Sequence, residues 1–158
     1  AILFSVDEEH GMTGIRSFVE RDLPSLRWRP SAAIVGEPTM CHPVIAHSGC
    51  VRWTITTHGR AAHSSVPHEG VSAISAMVRI IEAVEARYIP SLRAEHPLTG
   101  AAACSVNLIR GGVSINVIPD RCEIGIDRRL VPGENGEDAA AALDAVLRET
   151  KVDFTTHV

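Results

Sequence analysis

Three groups of residues in this sequence have the types and spacing to do chemistry. The first is acidic. Asp7-Glu8-Glu9 follows directly on the apolar run Ile2–Val6, and open α/β sheets place their ligands just beyond the carboxyl end of such a run. Three adjacent carboxylates repel one another unless a cation or a shared proton intervenes. Glu8 and Glu9 leave a strand-to-loop transition in different directions, so one can ligate a metal while the other faces a water bound to it. The alternative is a solvated acidic loop that caps the following helix. Glu37, in Val35-Gly36-Glu37-Pro38-Thr39, repeats the layout behind a second apolar run, Ala32–Val35, with Gly and Pro fixing the turn. Alone it also reads as a turn with an exposed Glu. Two parallel strands ending in carboxylates at one rim would bind a hard or borderline cation between them.

The second group centres on His63. In Gly59-Arg60-Ala61-Ala62-His63-Ser64-Ser65 small neighbours leave the imidazole clearance for a ligand or another chain, although a loop histidine is more often simply exposed. His10, His42, His47, His58, His68, His96 and His157 have less to recommend them. None of the histidines forms an H-E-x-x-H pair, so local spacing writes no complete zinc site. The third group lies downstream. Gly111-Gly112 relaxes a loop that presents the amide of Asn116, and Asp127-Arg128-Arg129 ends an apolar stretch. An arginine at a strand end offers a fork suited to a carboxylate. A surface ion pair with a nearby Glu or Asp is the alternative, and it suits Arg128 well. The glycine pair lacks the G-x-G-x-x-G or G-K-[ST] context of a phosphate loop.

The elements that must hold these groups change character near residue 45. Before it, the runs Ile2–Val6 and Ala32–Val35 flank a helix expected over about Thr13 to Arg21, the pattern of a parallel sheet buried on both faces. Ala1–Val6 reads as a strand entered midway, so the chain is expected to begin inside a fold. After residue 45, Val51–Thr57 alternates as a half-buried strand. Val71, Ile74, Met77, Val78, Ile81 and Val84 then form the stripe of an amphipathic helix. Ala102–Ile109 and Arg121–Val131 read as strands, Ala139, Leu143, Val146 and Leu147 as a second helix, and Val152–Val158 as a last strand. The order β-α-β-β-α-β is that of an α+β, ferredoxin-like domain with its first and third strands at the centre.

Bulk properties narrow the partners. With 45% apolar and 22% charged residues, a real core is available. A net charge of −4 and a pI near 6.1 give no field for a phosphate backbone. A ferredoxin-like RNA-binding module is disfavoured for that reason and for the lack of paired aromatics on the central strands. No apolar run approaches the ~20 residues that cross a bilayer. Cys41, Cys50, Cys104 and Cys122 form no C-x-x-C, and three sit among apolar or strand-like residues. Reduced thiols in a cytoplasmic protein are expected.

Taken in order, Val6-Asp7-Glu8-Glu9, Gly36-Glu37-Pro38-Thr39, the His63 segment, Gly111-Gly112 with Asn116-Val117-Ile118-Pro119-Asp120, and Asp127-Arg128-Arg129 with Pro132-Gly133 resemble the M20 metallopeptidases. The likeness is to the branch of acetylornithine deacetylase and succinyl-diaminopimelate desuccinylase, and it spans nearly the whole chain. It implies that residues 1–44 are a fragment of an α/β, zinc-dependent catalytic domain and residues 45–158 a ferredoxin-like lid that forms a homodimer. By motif, Glu8 matches the general base, Glu9 and Glu37 match ligands to two zinc ions (cobalt being an alternative), and His63 matches a histidine that steadies the oxyanion in the partner subunit's site. Asn116 and Arg129 match residues that hold the substrate. The substrate implied is a small N-acyl amino acid, with no role for nucleic acid or membrane. The family also requires an upstream His-x-Asp and a histidine near the carboxyl terminus, which this sequence lacks. The chain is therefore expected to be part of a larger enzyme, holding zinc poorly on its own. A non-catalytic dimerisation module is the competing expectation.

Overall fold

The computed structural model describes residues 1–9 and 11–158, so His10 lies outside the described residues. The chain forms two compact units, Ala1–Pro43 and Val44–Val158.

The first unit is built around one helical run. Helix α1 (Thr13–Ser17) continues into a π-helical stretch, Phe18–Asp22, and a 3-10 turn, Leu23–Ser25. The acidic segment folds back on its start. The Thr13 hydroxyl donates to the Asp7 carboxylate at 2.5 Å, and the Gly14 N–H donates to the Val6 carbonyl at 3.3 Å. Gly14 has to be glycine here, because an added Cβ would lie 2.6 Å from the Val6 nitrogen. The expected strands Ile2–Val6 and Ala32–Val35 do not form. Both runs are irregular and solvent-facing, Phe4 being 92% and Ile34 100% exposed. A parallel strand needs a neighbour along its edge and cover on both faces. Neither run finds a ladder partner among the described residues.

The second unit is α+β. Its elements are β1 (Gly49–His58), β2 (Ala62–His63), a 3-10 turn at Pro67–Glu69, α2 (Ala73–Ala83), α3 (Ile89–Ser91), β3 (Glu95–His96), β4 (Gly100–Ala101), β5 (Ala103–Gly111), β6 (Val117–Ile118), β7 (Arg121–Leu130), α4 (Gly136–Arg148) and β8 (Phe154–His157). The long strands form one antiparallel sheet in the order β5-β7-β1-β8. The first and third long strands therefore lie in the middle.

Along β7, Cys122, Ile124, Ile126, Arg128 and Leu130 are buried and alternate with Glu123, Gly125, Asp127 and Arg129 on the opposite face. Period-two alternation of this kind marks a sheet covered on one side. The cover is α2 and α4. Ser72 caps α2 through the Ser75 N–H, and Asn135 caps α4 through the Asp138 N–H. Met77 and Ile80 from α2 and Leu143 and Leu147 from α4 meet Trp53, Ile55, Ile124 and Ile126 in one core. Just before Pro90, whose nitrogen cannot donate, α2 loosens into a π turn, Val84–Tyr88. Tyr88 there packs edge-on against Trp53, with ring centroids 6.3 Å apart. Among the described residues no helix is long and apolar enough to cross a membrane.

Candidate functional site

His63 is not in a loop, as its sequence context suggests, but in a two-strand ladder. β2 pairs with β6, setting Ala62 opposite Ile118 and His63 opposite Val117. The ladder ends on a bond from the Ser64 N–H to the Asn116 carbonyl at 2.9 Å. Two residues singled out by type, His63 and Asn116, are thus brought together by backbone pairing across 53 positions of sequence. Asn116 sits at the end of the exposed Gly112–Asn116 tip, where its Oδ1 accepts from the Ser114 hydroxyl at 2.5 Å. The His63 ring is exposed, and its Nδ1 lies 2.7 Å from Ser65 Oγ and 3.2 Å from the Ser65 nitrogen.

Glycines hold the ladder against the body of the unit. The Gly59 N–H donates to the Asp120 carbonyl at 2.8 Å, and Arg60 and Val71 exchange backbone bonds of 2.9 Å each. An added Cβ on Gly59 would lie 2.1 Å from the Val71 carbonyl oxygen, and one on Gly70 would lie 2.8 Å from Ile118 Cδ1. The Arg60 guanidinium donates through Nε to the Glu69 carbonyl at 2.7 Å, closing the loop behind His63. Thr57, fully buried at the end of β1, donates its hydroxyl to the Ala73 carbonyl at 2.9 Å and so ties the first turn of α2 to the sheet.

Arg129 stands elsewhere, on the sheet face away from the helices. It is exposed and grips Asp127 with two nitrogens, Nε at 2.6 Å and Nη2 at 3.3 Å. Arg52, across the strand pair, reaches the same carboxylate through Nε at 3.2 Å. Partial burial alone would push the Asp127 carboxyl up, but the bonds from Arg129 and Arg52 outweigh it and hold it below the usual carboxylate range. Two guanidinium groups share one carboxylate, so the patch keeps a positive charge for a second anion.

Arg128 corrects its sequence reading. The expected ion pair with a nearby Glu is present, but it is not at the surface: Arg128 is 1% exposed, beneath the Pro132–Asn135 turn. Its Nη2 donates to Glu134 at 2.6 Å, its Nη1 bonds the Arg129 carbonyl, and Glu134 also accepts the Val131 N–H at 2.9 Å. The alternation along β7 places it inward, and sequence reasoning did not apply that period to a charged residue. Three of the four cysteines lie in strands, Cys50 in β1, Cys104 in β5 and Cys122 in β7, and all four are free thiols. Cys122 is buried and Cys104 half-buried, burial pushing the Cys104 thiol up to about 11, but Cys41 and Cys50 are exposed.

The three glutamates lie in the first unit. Glu8 and Glu9 occupy the exposed turn before α1, and Glu37 an exposed irregular segment whose carbonyl accepts the Thr39 N–H at 2.8 Å. Among the described residues no three His, Cys, Asp or Glu side chains gather into a group able to hold a metal ion. Glu8, Glu9 and Glu37 do not form such a group, and the described residues by themselves complete no zinc pair. Two concavities of about 480 and 320 Å³ lie beside α4, lined respectively by Phe154 and Arg148 and by Tyr88 and Arg128 among others. Neither takes in His63, Asn116 or Arg129, all three of which are exposed.

Residues 45–155 match the family model described as the peptidase dimerisation domain of the M20 type. The chain is 32% identical over 154 residues to acetylornithine deacetylase of Myxococcus xanthus, covering 94% of this chain and 39% of that protein. It is 35% identical over 153 residues to the acetylornithine deacetylase of Photorhabdus laumondii, with 95% and 39% covered. A probable carboxypeptidase of Aspergillus clavatus is 33% identical over 156 residues, with 96% and 37% covered. The chain thus spans less than two fifths of the length of these curated relatives. Among solved structures, the M20 family metallo-carboxypeptidase Sso-CP2 from Sulfolobus solfataricus aligns with a TM-score of 0.59 at 14% identity, over 72% of this chain and 38% of that one. An amidohydrolase/peptidase from Burkholderia cenocepacia, described as putative in its name, aligns at 0.52 and 22% identity, over 72% and 28%. At such identities the likeness is one of fold.

Proposed function

We propose a function from one premise: the chain belongs to the M20 peptidase family, through its dimerisation domain. It is a segment of an amidohydrolase that removes the acyl group from a small N-acyl amino acid, in the manner of acetylornithine deacetylase. Residues 1–44 belong to the zinc-dependent catalytic domain and residues 45–158 form the ferredoxin-like lid. The observation that supports the reading is the β2–β6 ladder, which pairs His63 with Val117 and bonds the Ser64 N–H to the Asn116 carbonyl, with His63 and Asn116 both exposed.

In this reading Glu8 accepts a proton from the attacking water and passes it to the leaving amine. His63 reaches into the partner subunit's site and donates a hydrogen bond to the oxygen on which negative charge develops, stabilising the transition state more than the substrate. Asn116 binds a polar group of the substrate, and Arg129, already one of two guanidiniums around Asp127, takes its carboxylate. Glu9 and Glu37 would supply two of the ligands to a metal site that the described residues do not complete by themselves. The enzyme works in the cytoplasm.

The test is hydrolysis of an N-acetyl amino acid by the full-length enzyme that carries this segment. Replacing Glu8 by Gln is expected to lower kcat at least about 100-fold. Activity retained in that variant ends the proposal.

The family name favours a second reading, in which the lid acts as a non-catalytic homodimerisation module. Its support is the edge position of β5 among the described strands, with Leu108 and Ile109 exposed, together with the exposed Ile74 and Val78 of α2. Light scattering decides it: a chain that stays monomeric at high concentration defeats dimerisation through this surface.

A further inference from the structure

We infer that Ser65 is the positioning residue that selects the tautomer of His63, keeping the ring proton on Nε2 so that an N–H faces outward. The inference rests on the hydrolase reading for its use, but its geometry stands apart from that reading. His63 Nδ1 receives two groups of Ser65: the hydroxyl at 2.7 Å and the backbone nitrogen at 3.2 Å. A backbone N–H can only donate, so Nδ1 meets it with a lone pair. The hydroxyl, which can turn either way, then donates as well. A neutral imidazole carries one N–H, which is left on Nε2. Ser65 cannot swing away, because the turn is closed on both sides of it. The Ser64 N–H bonds the Asn116 carbonyl at 2.9 Å and the Val66 N–H bonds the His63 carbonyl at 3.0 Å. A donor held on Nε2 needs no reorganisation when charge develops on a substrate oxygen. The same ring in the other tautomer would present a lone pair to that oxygen and repel it.

Long-range proton–nitrogen correlation spectra of the whole 15N-labelled chain test this, recorded in alkaline buffer where imidazole is neutral. A His63→Gln spectrum assigns the His63 signals among those of the eight histidines. The expected result is a pyridine-type Nδ1 and a pyrrole-type Nε2 for His63. Ser65→Ala keeps the N–H but loses the hydroxyl, and shifts the ring towards a mixture of tautomers. Ser65→Thr restores the original spectrum, and Ser64→Ala leaves it unchanged. A pyrrole-type Nδ1 in the unmodified chain, or a Ser65→Ala spectrum identical to it, overturns the inference. In the full-length enzyme Ser65→Ala is expected to lower kcat about fivefold with KM within about twofold, and Ser65→Thr to recover it. Spectra that behave as expected while kcat does not move leave the tautomer assignment standing and refute the role of His63 in hydrolysis.

Discussion

Gly59 is the position at which the structure makes its sharpest quantitative demand. A methyl group there would begin 2.1 Å from the Val71 carbonyl oxygen, 2.9 Å from the Ala73 nitrogen and 3.2 Å from the Pro119 carbonyl oxygen. All three neighbours are backbone, so no side chain can rotate out of the way. Ordinary contact begins at 3.4 Å, and the Val71 backbone would have to retreat by about 1.3 Å. That movement breaks the paired 2.9 Å bonds between Arg60 and Val71 and loosens the 2.8 Å bond from the Ala73 N–H to the Pro119 carbonyl. At about 1 kcal/mol net for each of three bonds, Gly59→Ala should cost roughly 3 kcal/mol. For a chain of this size that corresponds to a fall in Tm of roughly 6–12 °C. Thermal unfolding followed by circular dichroism measures it, with Gly36→Ala as the control. Gly36 has nothing within 4 Å of its added Cβ, so that change should stay within about 0.5 kcal/mol. A Gly59→Ala chain melting within about 2 °C of the parent would refute the close-approach reasoning, and with it the account of how the His63 ladder is held.

Two further predictions concern the charged residues of β7. Glu134→Gln leaves the Arg128 guanidinium, whose side chain is 2% exposed, without its counter-charge. Because Glu134 itself is a quarter exposed, the expected cost is about 2–3 kcal/mol rather than the full penalty of a buried pair. Urea unfolding reads it as a lower midpoint at unchanged slope, and an unmoved midpoint would contradict the buried pairing. Asp127 supplies a pH test. Its folded-state carboxyl is held below the ordinary carboxylate range, so its contribution to stability is complete above the unfolded-state value and is lost as pH falls through the depressed one. Asp127→Asn should therefore lower the urea midpoint at neutral pH and flatten its decline in acid. Parallel acid limbs in the two chains would show that Asp127 is not held by Arg52 and Arg129.

Much of the second unit could be read from residue types because its rules are local. Val51–Thr57 and Arg121–Val131 alternate with period two, the α2 stripe recurs at three and four, and the observed elements fall on these patterns within a few residues. The π turn before Pro90 and the Glu95–Ala101 hairpin were not legible, since neither carries a periodic signal. In the first unit the same rules misled. Ile2–Val6 and Ala32–Val35 have the composition of buried strands, but strandness depends on partners that composition does not supply.

What the sequence by itself determined is the chemistry available: three glutamates, an imidazole among small residues, an amide on a glycine-relaxed loop and a run of arginines. It also determined which faces of α2, β1 and β7 turn inward, because apolar spacing fixes burial through backbone geometry. The tertiary structure decided what those groups meet. It set His63 opposite Val117 and beside the Asn116 carbonyl, handed Ser65 to the imidazole, wrapped Arg52 and Arg129 around Asp127, and drew Arg128 into the core on Glu134. Pairings of this kind join residues tens of positions apart. They depend on register and on the close approach that Gly59 permits, and neither is written in any local window of the chain.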